Sequence, residues 1–366
     1  MCLCLKEQES GSFTFTLQWH ITAKCDQSCK HCYMYNSPTY NSEIENELPF
    51  SKCKLIIDDF LSTTKHYKKE GSIVFAGGDP LLREDFFDIL KYASTNGVYN
   101  IEVIGNSYHL DKNTAKKLKD NGVSFYQLSL DGMKDMHDFL RKPGSFDNTL
   151  LGFEILREAG IFTSCNFTIS KKNMHQLSEV IDLVTKMGVD SFDFGRVVPT
   201  GSGRNFKSDM IEPFEYKELL IKTDEQYKAL KKAGCKTHFG YRDNLWGLLF
   251  DTDDLRRDFD LLPKGCVLER GCLIGKAGLV ILSDGSVMGC RRLPVIVGKV
   301  PENSLIDIFE KSDYLLYLKD ASKSACCYSA DTEKHCSGCL AVKYSSSNSD
   351  LSACDPQCWI KEGFLK

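Results

Sequence analysis

No run of about 18 apolar residues occurs in this 366-residue chain, so no segment is long enough to span a bilayer as a helix. Neither sign of charge is in surplus. Lysine and arginine number 46 against 50 aspartates and glutamates, a net charge of −4, which excludes the global basic field that suits nucleic-acid binding. The opening MCLCLKEQESGS has neither a basic region nor a full apolar stretch, so it does not read as a signal peptide. Internal repeats and low-complexity tracts are missing too, and the Ser-rich stretch 345–349 is short enough to be a loop. What the chain has in abundance is cysteine, 17 in all. In a protein that is not exported, the expected compartment is the reducing cytoplasm, where thiols serve metals or redox work rather than structural disulfides. An apolar content of 42% over this length supplies a core for one large α/β domain, alone or with a smaller one.

Between residues 13 and 200, apolar runs of strand length alternate with longer helical patterns, the signature of β/α units on a parallel sheet. Strands are predicted near 14–22, 72–76, 99–104, 124–130, 162–169 and 191–198, and helices over 50–69, 82–95, 112–120, 148–159, 173–187 and 213–233. The first helix, for instance, carries Ile56, Ile57, Phe60 and Leu61 on one stripe. Six such units make an α/β fold, a partial (β/α)6 TIM-like barrel open on one side. Parallel β/α folds keep their reactive groups at the carboxyl ends of the strands. The polar and glycine-rich signals all fall there. Cys25, Cys29 and Cys32 follow strand one, Gly77-Gly78-Asp79-Pro80 strand two and Gly105-Asn106-Ser107 strand three. Ser129 and Asp131-Gly132 end strand four, Thr168 and Ser170 strand five, and Arg196 with Pro199-Thr200-Gly201 strand six.

The three cysteines are spaced C-x3-C-x2-C in TAKCDQSCKHCYMYN, with no further cysteine before Cys53. A cubane [4Fe–4S] cluster takes four thiolates, so three leave one iron open to a small molecule. A zinc knuckle is the competing reading, although zinc favours four closed ligands in paired C-x2-C style. A second cysteine field begins near residue 262, where helical periodicity stops. Cys266 and Cys272 lead into GKAGLVILSDGSVMGC, whose apolar runs flank Ser283-Asp284-Gly285-Ser286. That pattern predicts a hairpin that returns Cys290 toward Cys272. Cys326, Cys327, Cys336, Cys339, Cys354 and Cys358 follow, and Cys336-x2-Cys339 keeps a zinc ribbon open as an alternative.

The first motif, with His31 before and Tyr33 after its last cysteine, resembles the radical S-adenosylmethionine (SAM) superfamily. In that family the open iron chelates SAM, and electron transfer cleaves the sulfonium to a 5′-deoxyadenosyl radical. The resemblance extends to Gly77, Gly78 and Asp79, which match the family's Gly-Gly-Glu-Pro with Asp for Glu and would receive the SAM ammonium. It extends also to QLSLDGMKDMHDFLRKPGSF at 127–146, implying Ser129 at the ribose or carboxylate, Asp131 and His137 in structural roles, and Arg141 as an anion ligand. Asn106 is a candidate ribose contact, and Arg196 lies in the segment whose backbone follows the adenine. HCSGCLAVKYSSSNSDLSACDPQCW resembles the SPASM domain of peptide-modifying radical SAM enzymes, which usually carries two further [4Fe–4S] clusters. By that resemblance Cys266, Cys272, Cys290 and Cys339 hold one cluster. Cys336 and Cys358 belong to the other, with two more ligands from Cys326, Cys327 and Cys354.

These resemblances imply four segments: an extension 1–12, the barrel 13–240, a linker near the substrate 241–261, and the SPASM domain 262–366. The implied activity is maturation of a ribosomally made precursor peptide by a thioether or carbon–carbon crosslink. Peptide epimerisation and sulfatase-maturase-like oxidation are the nearer alternatives, and a non-catalytic iron–sulfur carrier or zinc protein the remoter one. Cys290-Arg291-Arg292 stands where sulfatase maturases carry a catalytic aspartate, which argues against formylglycine formation. Arg291 and Arg292 would meet an acidic substrate segment, offset anionic clusters, or lie solvated. Cys53 and Cys165 read as small buried hydrophobes, while Cys165 and Cys235 are the candidate hydrogen-atom donors should either point into the barrel. The expected partners are the precursor peptide, a low-potential flavodoxin or ferredoxin, and a separate leader-recognition protein, with no nucleic acid and no membrane.

Overall fold

The computed structural model describes residues 14–249, 274–321 and 338–360. Six strands, β1 (Phe15–Thr22), β2 (Gly71–Gly77), β3 (Asn100–Ile104), β4 (Val123–Ser129), β5 (Phe162–Ile169) and β6 (Ser191–Arg196), pair in parallel, each with the next. Helices α1 (Tyr40–Glu45) and α2 (Phe50–Tyr67) link β1 to β2, α3 (Phe86–Thr95) links β2 to β3, and α4 (Lys112–Asp120) links β3 to β4. α5 (Lys134–Leu140) and α6 (Ser145–Glu158) precede β5, α7 (Leu177–Lys186) precedes β6, and α8 (Pro213–Lys232) follows it. The α/β barrel read from the alternation is therefore present. α1 and α5 are additional, six and seven residues long and too short to impose a periodic signal.

Strand alternation gives the barrel two unlike faces. Phe15, Leu17, Trp19 and Ile21 of β1 join the same core as Cys53, Ile56, Ile57 and Phe60 of α2, whereas Thr16, Gln18, His20 and Thr22 point the other way, to the interior. On β4 and β5, Tyr126, Leu128, Cys165 and Phe167 take the helix side, leaving Gln127, Ser129, Ser164 and Asn166 inside. Phe125 and Phe162, paired in register, stack near the amino end of the interior, and His238 stacks on Phe162. One end of the interior is thus apolar, and the rim where the cysteines lie is polar.

The sheet does not stop at residue 240. The two-residue β7 (His238–Phe239) extends it beyond β6, and at the other edge β8 (Gly278–Ile281) adds in parallel to β1. β9 (Ser286–Met288) and β10 (Ile296–Lys299) continue antiparallel, giving the order β10-β9-β8-β1-β2-β3-β4-β5-β6-β7. The predicted hairpin around Ser283–Ser286 is formed, but it belongs to the barrel's own sheet, which crosses the boundary expected at 262. The expectation that helices end there is corrected by α9 (Leu305–Lys311), α10 (Asp313–Ala321) and α11 (Leu340–Ser346). α11 also claims the first two residues of the Ser-rich stretch read as a loop, with Ser345 Oγ bonding back to the Ala341 carbonyl at 2.6 Å. No described helix is long and apolar enough to cross a membrane.

Candidate active site

The loop after β1 carries Cys25, Cys29 and Cys32, all free thiols. It is held by the loop after β2, where Gly78 N–H donates to the Thr22 carbonyl at 2.9 Å and Asp79 N–H to the Lys24 carbonyl at 2.8 Å. Gly77 has φ +150°, and a β-carbon on Gly77 or Gly78 would lie 2.1 Å from Thr22 O or 2.0 Å from Lys24 O. Glycine is required because two backbones touch. Burial pushes the Cys29 thiol up to about 12, against the opposing pull of Arg141, and burial also raises Cys25. Thiols in such surroundings ionise when a cation binds them.

A carboxylate organises the far side of this loop. Asp131 Oδ2 accepts from Arg141 Nε at 2.5 Å and lies 3.1 Å from His31 Nε2, while its Oδ1 accepts the Thr168 N–H at 2.7 Å. Burial alone would raise its pKa, but Arg141 and His31 outweigh burial and hold it well below the usual carboxylate range. Arg141 Nη1 also reaches Cys29 Sγ at 3.8 Å, so the anions this arginine meets are Asp131 and the cysteine loop. His137 takes the Asp131 N–H on Nδ1 at 3.0 Å and lies 2.9 Å from Ser145 Oγ through Nε2, and burial pushes it down to about 4.

Asn106 Nδ2 donates to Asp26 Oδ1 at 3.0 Å, and Asn106 Oδ1 accepts the Tyr108 N–H. Ser129 stands at the carboxyl end of β4, on the interior face and in register with Asn166. Asp79 is fully buried, with Oδ1 accepting the Leu81 N–H at 3.3 Å and Oδ2 without a partner. Burial, with Asp26 adding, pushes its pKa up to about 7. The expectation at Arg196 concerns its backbone, and its side chain is committed elsewhere. It shares the helix-facing side of β6 with Phe192 and Phe194, and its guanidinium is taken up by Asp243 at 2.7 Å, Asp355 at 2.7 and 2.9 Å, and Gln357 at 3.2 Å.

The two candidate hydrogen-atom donors lie away from the rim. Cys165 is buried on the helix side of β5, and Cys235 sits in the turn after α8, at the end where β7 begins. In the C-terminal region Cys290 closes the hairpin, Cys339 N–H donates to Asp355 Oδ2 at 3.1 Å, and Cys358 N–H to the Asp355 carbonyl at 3.1 Å. Burial raises the Cys339 thiol, opposed by Arg292 and Arg196, and Cys290 is close enough to add to the rise. Cys354 directly precedes Asp355 in the chain. The expected ligands Cys266, Cys272, Cys326, Cys327 and Cys336 lie outside the described residues, as does most of the predicted linker 241–261.

Sequence reasoning missed how Arg291 and Arg292 divide their roles. Arg291 Nη2 pairs with buried Glu43 at 2.6 Å, while Arg292 Nη1 lies 3.9 Å from where a β-carbon on Gly195 of β6 would be. Arg292 stands in the field of Cys339, Cys290, Tyr33 and Asp243, and among the described residues no carboxylate pairs with it. Asp26 and His109 were also missed. Nothing in local periodicity marks them, because their significance comes from loops converging after β1, β2 and β3.

The donor set fits an iron–sulfur cluster better than a zinc ion. Tetrahedral zinc at about 2.3 Å from each sulfur needs sulfurs about 3.8 Å apart. Among the described residues, the grouping of potential ligands within 4.8 Å of one another is Asp26, Asp79 and His109, not the cysteines. The unpartnered Asp79 oxygen in turn suits a cationic ligand group.

Residues 19–184 match the Radical SAM superfamily and residues 272–340 an iron–sulfur cluster-binding domain, SPASM. The AdoMet-dependent heme synthase of Methanosarcina barkeri is 29% identical, the match covering 95% of this chain and 97% of that protein. Mycofactocin maturase MftC of Mycolicibacterium smegmatis is 25% identical over 93% of this chain and 82% of its own. Native anSMEcpe with bound AdoMet superposes with a TM-score of 0.73 at 17% identity, covering 96% of this chain and 95% of that one. Streptococcus suis SuiB bound to SAM gives 0.72 at 16%, covering 95% and 78%. The chain therefore carries a radical SAM domain and a C-terminal SPASM iron–sulfur domain, those of an enzyme that uses SAM and a [4Fe–4S] cluster.

Proposed function

We propose that this enzyme modifies a ribosomally made peptide by an oxidative crosslink, thioether or carbon–carbon, with Cys25, Cys29 and Cys32 holding the SAM-site cluster. When bound there, the cluster supplies the electron that cleaves SAM to the radical that takes a substrate hydrogen. Asp79 and the Gly77–Gly78 backbone would receive the ammonium, and Arg141 would offset charge at Cys29. The observation that carries the oxidative reading is Tyr33, a half-buried residue next to Cys32 whose phenol also lies in the field of Cys290. An auxiliary centre at Cys290 and Cys339 would thus border the SAM site, where an electron left on a closing substrate radical can depart. A second centre would draw on Cys358 and the ligands expected beside it. Crosslinking removes two hydrogens: one would leave in 5′-deoxyadenosine and the other as a proton, its electron going to an acceptor that an auxiliary centre would supply.

Mycofactocin maturase among the relatives, and the solved complex of SuiB with its precursor peptide SuiA, support a peptide partner. Flavodoxin or ferredoxin would supply the reducing electron, and a separate protein the leader recognition. A second reading has its own support: three heme synthases match over 93–96% of the chain, and Arg292, unpaired by any described carboxylate, suits a substrate with acidic side chains. Incubating the reconstituted, reduced enzyme and SAM with a precursor peptide encoded beside its gene should lower the peptide mass by about 2 Da per crosslink. An unchanged peptide, together with a mass change in a carboxylate-bearing iron porphyrin, would replace the first reading with the second. Unchanged mass with deuterium gained from solvent would indicate epimerisation and overturn the crosslink.

A further inference from the structure

Three side chains from three rim loops converge beside the cysteine loop: Asp26 after β1, Asp79 after β2 and His109 after β3. Each places a ligand atom within 4.8 Å of the other two. Asp79 is fully buried and one of its oxygens has no donor, an arrangement that costs the ionised carboxylate and that an arriving positive group relieves. Asp26 is held in place by Asn106 Nδ2 at 3.0 Å on Oδ1, and by His109 Nε2 at 3.4 Å and Lys142 Nζ at 3.8 Å on Oδ2.

We infer that Asp26 is a second SAM-binding carboxylate, which with Asp79 seats the SAM ammonium, and that His109 is its positioning residue. Aspartate at position 79 is one methylene shorter than the glutamate of the family's motif, so alone it reaches less far toward a ligand. A carboxylate on the adjacent loop restores the missing acceptor. An ammonium carries three N–H donors on a compact centre and can satisfy two acids at once. The assignment rests on SAM binding alone and stands whichever substrate the enzyme modifies.

The test is equilibrium binding to the reconstituted, unreduced holoenzyme, using SAM and a sulfonium analogue lacking the amino group. Asp26→Asn should weaken SAM ~10-fold or more, the usual worth of a charged hydrogen bond, and leave the analogue's affinity unchanged. Iron content and the visible spectrum should stay as in the wild type. Contact between the amine and iron is lost equally in both proteins, so it cancels from the comparison. Equal weakening of SAM and analogue, or no weakening of either, overturns the assignment. So does SAM binding that requires added magnesium or potassium, with one equivalent of that metal lost in Asp26→Asn. If Asp26→Asn fails to take up iron, His109→Gln, which lies outside the cysteine loop, decides. It should weaken SAM several-fold and the analogue not at all, and a non-selective loss refutes the proposal.

Discussion

At the scale of single residues, the site is controlled by how buried charges are matched. Asp131 stays ionised because Arg141, His31 and the Thr168 N–H all face it, and the same node fixes His137 as a neutral ring. That has a pH consequence with a definite sign. The folded pKa of His137 is pushed down to about 4 by burial, from an ordinary value of 6.5. The unfolded chain therefore takes up a proton first, and stability falls as pH drops through the window from 6.5 to 4. Between pH 7 and pH 5 this residue's share of the loss is about 2 kcal/mol. His137→Asn keeps an acceptor for the Asp131 N–H but cannot titrate there. Its urea unfolding should be less stable than wild type at pH 7 and show a shallower fall between pH 7 and pH 5. A pH slope equal to wild type would remove His137 from the acid sensitivity.

At the scale of elements, the most consequential contact is the one that brings the iron–sulfur hairpin onto the barrel. Gly278 of β8 lies against β1 so closely that a β-carbon would sit 1.8 Å from the Thr16 carbonyl oxygen. Gly278→Ala should pry β8 from β1 and cost iron from the C-terminal clusters, ~4 atoms or more per chain, while the SAM-site cluster still loads. Iron counting together with SAM cleavage would check this, and full iron in the variant would show that the pairing is not needed. Such joins explain what the sequence did and did not make legible. The six parallel strands and their helices could be read because alternation and the stripe of Ile56, Ile57 and Phe60 are local signals. The rim could be read because motifs follow strands. The pairing of β8 with β1 joins segments about 260 residues apart, and no local period encodes that register. The short helix α9 was missed because seven residues give too few turns for a pattern. α11 was missed because serines that read as a loop instead bond back to their own helix.

At the scale of the whole molecule, one arginine ties the last barrel strand to the final cysteine motif. Arg196 on β6 is bound by Asp243 and, through two bonds, by Asp355 in the segment Asp355-Pro356-Gln357-Cys358, all nearly or fully buried. Asp355 in turn accepts the Cys339 N–H, so the positions of two expected ligand cysteines depend on this charge. The alternation of β6 places position 196 on the helix side, with Phe192 and Phe194. A buried ion cluster contributes little over an apolar substitute, yet removing one partner strands the others. Arg196→Met leaves two buried carboxylates uncompensated and should cost about 3–5 kcal/mol in urea unfolding, with loss of C-terminal iron. The triple variant Arg196→Met, Asp243→Asn, Asp355→Asn carries no stranded charge and should recover part of that loss. If the triple variant were as unstable as the single one, hydrogen-bond geometry rather than charge would be what joins the barrel to its cluster domain.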